Sequence, residues 1–231
     1  MVSEQELKKY DCNISVERLK SYLYSQNDTL DDAFEHYVNH ILIAQSFYPE
    51  LFVLEVALRN AIDTTLKTYI SDTWIEDEVN NNKWLRPFDY KTLKEVYDDT
   101  KQQCIQDNKT FTTGKIISNL TFGFWTGLCV RTYNGKIWNK KACFKSIFPN
   151  YHAKQLSIGM ISQQLYQIRR FRNRVFHYEQ VFKNPQNTLK MYNDIMQVIS
   201  YLPGDNARIL KKTSTFLNLY NSLLIKSNAV K

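Results

Sequence analysis

From Pro49 to Ile70 the chain reads PELFVLEVALRNAIDTTLKTYI. Leu51, Leu54, Leu58, Ala61, Thr65 and Tyr69 recur there at three- and four-residue intervals, which puts them on one side of an α-helix. Upstream, Tyr48-Pro49 marks a break that ends one helix and opens the next, because proline is tolerated in a first helical turn. The preceding helix is capped by Asp28 or Thr29 and runs to about Phe47, after a short one near Ser15 to Leu23. No glycine precedes Gly114, and Pro49 and Pro87 are the prolines of that region, so long helices with few breaks fill the first half. EDEVNNNKWLRP (76–87) reads as a polar loop, followed by a helix from Tyr90 to Gln106. The aromatic segment between Asn119 and Arg131 reads as a buried helix packed tightly at Gly123 and Gly127. A helix from Ser157 to about Tyr178 follows, then a last pair over Thr188–Leu202 and Asn206–Leu224. Strand patterns are scarce. The expectation is an all-α protein in which residues 1–231 form a single domain.

Hydrophobic residues make up 43% and charged residues 23%, ordinary globular usage that excludes a disordered or fibrous chain. MVSEQELKKYDC lacks the apolar run of a signal peptide, and no stretch reads as long and apolar enough to cross a bilayer. A cytoplasmic location with no membrane contact is expected. Cys12, Cys104, Cys129 and Cys143 are widely spaced, with no C-x-x-C pair, and read as buried, reduced thiols. His36 and His40 are spaced i, i+4 but lack a third ligand, so neither a metal site nor another cofactor is expected.

Charge is distributed unevenly. Residues 1–100 carry 10 Lys+Arg against 19 Asp+Glu, whereas residues 101–231 carry 20 against 4. A basic half beside an acidic one points to a bounded patch for an anionic polymer, most simply nucleic acid. The 14% aromatic content leaves rings available for stacking on bases. Docking of the two halves on each other is the competing explanation of the same polarity.

The helix before Tyr178 carries the candidate chemistry. With Val175 set at zero, Ile161, Leu165, Ile168, Phe171 and Tyr178 fall within about 140° of one another, and Arg172 falls at about 60°, inside this apolar stripe. A guanidinium held there needs a carboxylate partner or a phosphate. Asn173 and His177 are i and i+4, with Arg169, Arg170 and Arg174 close by. The helix C-terminus favours a protonated His177 and the arginines oppose it. An imidazole beside phosphate-binding arginines suits metal-free RNA cleavage. The same residues also fit a solvated basic face with His177 as a helix cap, and spacing does not separate the two.

The run Arg172-Asn173-Arg174-Val175-Phe176-His177 resembles the signature of the HEPN superfamily, and RNRVFHYE resembles its Abi-like (AbiF/AbiD) abortive-infection branch, in which a Glu often stands where Glu179 does. LEVALRNAID (54–63) is similar to that branch's Glu-x-x-x-Arg-Asn element through Glu55, Arg59 and Asn60, and LTFGFWTGL (120–128) to its aromatic Gly-x-Trp segment. The resemblance implies an HEPN-like helical bundle with additional helices. It also implies a homodimer whose paired signatures form one ribonuclease site, with a role in phage defence or toxin–antitoxin pairs and, in some relatives, a small non-coding RNA. It implies catalysis by Arg172, Asn173 and His177, while the charge imbalance assigns RNA binding to Arg169, Arg170 and Arg174. Supporting roles fall to Glu55, Arg59, Asn60 and Glu179, with Glu55 as the partner that Arg172 requires. Some members bind RNA without cleaving it. Without the resemblance, Glu55, Arg59 and Asp63 are explained by a solvated i, i+4 ladder, and Gly123 and Trp125 by packing.

Overall fold

The computed structural model describes residues 14–152 and 157–229. Among these, twelve α-helices follow one another with no strand. In chain order they are α1 Val16–Lys20, α2 Leu30–Ser46, α3 Tyr48–Tyr69, α4 Trp74–Asn81, α5 Pro87–Gln106 and α6 Thr113–Asn119. After these come α7 Phe122–Leu128, α8 Lys141–Ile147, α9 Ile158–Phe176, α10 Pro185–Tyr201, α11 Asn206–Thr213 and α12 Phe216–Ala229. A 3-10 turn at Arg131–Tyr133 and a π turn at Asn134–Trp138 join α7 to α8. The class is all-α, as expected.

Local chemistry explains the boundaries. Thr29, not Asp28, caps α2. Its hydroxyl accepts from the Asp32 amide while the Asp32 carboxylate accepts from the Thr29 amide, a reciprocal capping box. Pro49 enters the first turn of α3, and Phe47 bridges α2 and α3 with its ring buried. The stretch read as a polar loop contains most of α4. Trp74, Ile75, Glu78 and Val79 form its buried face, Glu76 and Asp77 are half-buried, and Asn80 and Asn81 are exposed. Buried Glu78 accepts from the amides of Lys83, Trp84 and Leu85 at 3.0–3.2 Å, holding the turn that follows. The expected final helix is broken at Ser214 into α11 and α12, because the Ser214 hydroxyl turns to the buried carboxyl of Glu50 at 2.5 Å. Burial pushes the Glu50 carboxyl up, and the Ser214 bond opposes that shift.

The expected tight packing occurs at Gly127, where a Cβ would stand 3.1 Å from Oδ1 of Asp89. At Gly123 the nearest neighbour is the α7 cap hydroxyl of Thr121 at 3.4 Å. Trp125 is fully buried between them, and its segment serves packing. Cys104, Cys129 and Cys143 are free and buried; Cys12 lies outside the described residues.

α3 runs through the core, packed by α7, α8, α10 and α11, while α9 lies against α7 and α10. Phe47, Phe171, Tyr192 and Phe216 lock these layers together, with Phe47–Phe171 centroids 4.7 Å apart and Tyr192–Phe216 stacked at 4.4 Å. A smaller cluster, Leu19, Tyr22, Leu30 and Ala33, joins α1 to α2. Contrary to expectation, one stretch is long and apolar enough to cross a bilayer by length and composition. Between Ile41 and Leu58 the charged residues are Glu50 and Glu55 alone, and Leu30–Tyr69 contains a window of mean hydropathy 1.5. Within the molecule, 44% of that window is buried, so the same apolar residues also serve the core.

Candidate functional site

α9 begins at Ser157, whose hydroxyl accepts from the Gly159 amide, and buries Ile158, Ile161, Leu165, Ile168 and Phe171 against the core. The expected stripe ends there. Val175 is half-buried, and Tyr178, expected on the core face, is 73% exposed. The helical wheel stops applying because His177 is the C-cap and Tyr178 adopts a left-handed conformation at φ 60°. The Glu179 amide donates back to Arg174 O at 2.9 Å and the Tyr178 amide to Val175 O at 3.3 Å, a Schellman-type ending. Glycine or asparagine ordinarily fills that left-handed position, and an L side chain costs roughly 1–2 kcal/mol there.

Arg172 sits at the edge of the buried stripe. Its Nη2 lies 3.5 Å from Oε2 of Glu55 on α3, with the two side chains 32% and 27% exposed. Its guanidinium also covers the ring of Phe176, 4.6 Å from the centroid. Its buried Nε has no hydrogen-bond partner. The guanidinium is therefore oriented by a carboxylate and a ring, and with about a third of the side chain exposed its outer N–H groups, not the buried Nε, suit an incoming oxyanion.

The other candidate residues divide. Asn173, Arg174 and His177 are exposed at the end of α9, and the His177 amide donates to Asn173 O at 2.8 Å. Glu179 pairs with Arg174 at 3.4 Å, and Arg174 also donates to the carbonyl of Gln180. Arg169 and Arg170 flank the ring of Tyr166 at 5.8 and 5.9 Å. Arg59, one turn beyond Glu55, donates from Nε to Asn60 at 3.4 Å, and Asn60 lines a separate depression with Val56, Thr64 and Ser146. The solvated ladder does not form. Glu55 turns to Arg172, and Asp63 is buried, accepting from Trp74 Nε1 and Lys67 Nζ.

Two features escaped the sequence reading. The first is Arg18 of α1, whose Nη2 donates to Tyr178 O at 2.6 Å. Gln180 Nε2 likewise donates to Ser21 O at 2.7 Å, and the Val181 amide donates to Nδ1 of His40 at 3.3 Å. Burial, with Arg18 and Arg174 nearby, pushes the His40 imidazole down to about 4, in keeping with an acceptor nitrogen. His36 is held differently, stacked on Tyr24 at 4.4 Å with Nδ1 3.0 Å from Tyr22 O. Among the described residues no group of three or more His, Cys, Asp or Glu is arranged to hold a metal. The second feature is a groove of about 1100 Å³ between α1, α2, the start of α3, the end of α9 and α12, lined by Arg18, Tyr37, Ile41, Tyr48, Phe176 and Tyr178 among others. Sequence periodicity carries no signal for either, since both depend on contacts between residues far apart in the chain.

Compared with protein-family models, with curated proteins and with solved structures, the chain matches none.

Proposed function

We propose that the chain is a metal-independent endoribonuclease of HEPN, Abi-like type, acting in the cytoplasm as the toxic component of a bacterial abortive-infection or toxin–antitoxin defence system. The observation that carries this reading is Arg172, held by Glu55 and Phe176 with part of its guanidinium exposed, on the helix that ends in exposed His177. An RNA phosphate entering beside Glu55 would take the remaining Arg172 donors, which stabilise the charge that develops on its oxygens. The RNA 2′-oxygen bonds to phosphorus as the bond to the 5′-oxygen breaks. His177 moves the protons, one taken from the 2′-hydroxyl and one given to the leaving 5′-oxygen. Asn173, one turn before His177 on the same face, is suited to orient the imidazole or a phosphate oxygen.

One imidazole cannot readily take the proton from the 2′-hydroxyl and also protonate the leaving oxygen on the opposite side of the phosphorus, so two are wanted. This supports a homodimer in which His177 of the partner subunit completes the pair of proton-transfer groups. Arg169, Arg170 and Arg174 belong to the RNA path, and Arg59 and Glu179 to its support.

A second reading is a non-catalytic protein that holds, or is restrained by, a small non-coding RNA. Arg169 and Arg170 beside Tyr166 favour it, because a cationic and aromatic surface retains RNA without chemistry. Incubating the purified protein with RNA in EDTA separates the two. Cleavage leaving 2′,3′-cyclic phosphate ends, lost in His177→Ala with binding retained, supports the nuclease; binding without cleavage supports the second reading. An absolute Mg²⁺ requirement would overturn the mechanism.

A further inference from the structure

The groove beside α9 combines three features. Its lining holds no carboxylate, although α1 and α2 lie in the acidic half of the chain. It gathers exposed rings, with Tyr48 and Phe176 joining Tyr178 at its edge. It also shares a side chain with the candidate phosphate site, since Phe176 lines the groove and carries the Arg172 guanidinium over its ring. Tyr178 is the most informative of these residues. A tyrosine holds a backbone conformation that suits glycine or asparagine, its carbonyl is fixed by Arg18, and the residue remains 73% exposed. Little of it is buried to offset the backbone strain, and such strain concentrates where a side chain must be presented to a ligand.

We propose that this groove seats an unpaired nucleobase of the RNA strand, stacked on Tyr178, while the adjoining phosphate reaches Arg172. The inference rests on the RNA reading above and adds a substrate class to it: single-stranded RNA with a free base beside the phosphate that Arg172 receives. Charge complementarity favours this occupant. Arg18 lines the groove and Arg172 lies one ring away, while the nearby carboxylates of Glu55 and Glu179 are each held by an arginine. A base in a duplex has both faces covered, so an aromatic platform selects single strands.

The test measures affinity for a 2′-O-methyl oligonucleotide, which lacks the attacking hydroxyl, and for the same strand carrying one abasic position, placed in turn along its length. Tyr178→Asn keeps a residue that tolerates the left-handed backbone, so it should melt no lower than wild type. It should bind the full strand roughly 5- to 150-fold more weakly, the loss expected for one stacked base. Tyr178→Phe should bind as wild type does. Against the strand abasic at the seated position, the difference between wild type and Tyr178→Asn should vanish. Tyr48→Ala, which removes another exposed ring lining the groove, should weaken binding in the same direction. Unchanged affinity in both Tyr178→Asn and Tyr48→Ala, with wild type still binding in a salt-dependent way, would overturn the base subsite and leave the RNA reading standing. Dissociation of a wild-type dimer by Tyr178→Asn would overturn it too, by assigning the groove to a second copy. Wild-type protein that binds no RNA at all would fail the functional reading itself.

Discussion

Glu55 and Arg172 stand 117 positions apart in sequence, and their side chains meet at 3.5 Å where α3 passes the end of α9. Because both are partly exposed, the pair should contribute no more than about 1 kcal/mol to stability. Its value lies in orientation. Glu55→Gln should leave the melting temperature within a few degrees of wild type and lower the single-turnover cleavage rate. Arg172→Lys should be nearly as damaging as Arg172→Ala, because an ammonium cannot lie flat on Phe176 while offering a fork to phosphate. Full activity in Arg172→Lys would show that only positive charge is needed.

His177→Ala should slow cleavage by roughly 100- to 10,000-fold, the usual range for a lost proton-transfer group. Mixed in excess with wild type, it should also lower the rate per wild-type chain as heterodimers form. A constant rate, under conditions where subunits demonstrably exchange, would mean that each chain works alone.

Binding should weaken linearly with salt on logarithmic axes. Replacing Arg169, Arg170 and Arg174 together with Gln should flatten the slope by about 2, since each phosphate contact on a single strand contributes about 0.7. Glu179 supports the RNA path by orienting Arg174 at some electrostatic cost, so Glu179→Gln should lower the steepness of the salt dependence little and change RNA affinity less than Arg174→Gln does. An unchanged slope in the triple variant would move the RNA path elsewhere.

His40 gives the fold a dependence on acidity. The folded protein keeps this imidazole neutral down to about 4, whereas an unfolded chain takes up the proton near 6.5. Stability is therefore full above pH 6.5 and declines as pH falls toward 4, by up to about 3 kcal/mol from this residue. Denaturant unfolding of wild type and His40→Gln at several pH values should show the difference in slope confined to that window. Equal slopes would place the acid sensitivity in other groups.

The all-helical architecture was legible because long apolar stripes such as Leu51–Leu54–Leu58–Ala61 match the helical period over many turns. α4 was missed because its apolar face has only Trp74, Ile75 and Val79 to outweigh a run of Asn, Asp and Glu, and because Glu78 is buried as a capping carboxylate, where a charge reads as solvent-facing. In the candidate site, Arg172 was found because it breaks its own stripe, and that conflict calls for a partner. Tyr178 was assigned to the wrong side because the wheel was carried one residue past the point where the backbone reverses its hand. The groove and the Arg18 contact had no local signal, being products of how α1 and α2 lie across the end of α9.

The four residues after His177 are fastened to the first layer of helices at three points, Arg18 to Tyr178, Ser21 to Gln180 and His40 to Val181. A fragment beginning at Ser157 would carry the whole Arg172–His177 run and none of those fastenings, so the motif is no portable cassette. Grafted onto another helix it would keep its letters and lose its endpoint. A change in Arg18, within the acidic half and 159 positions before His177, should be felt as a fault in the motif itself.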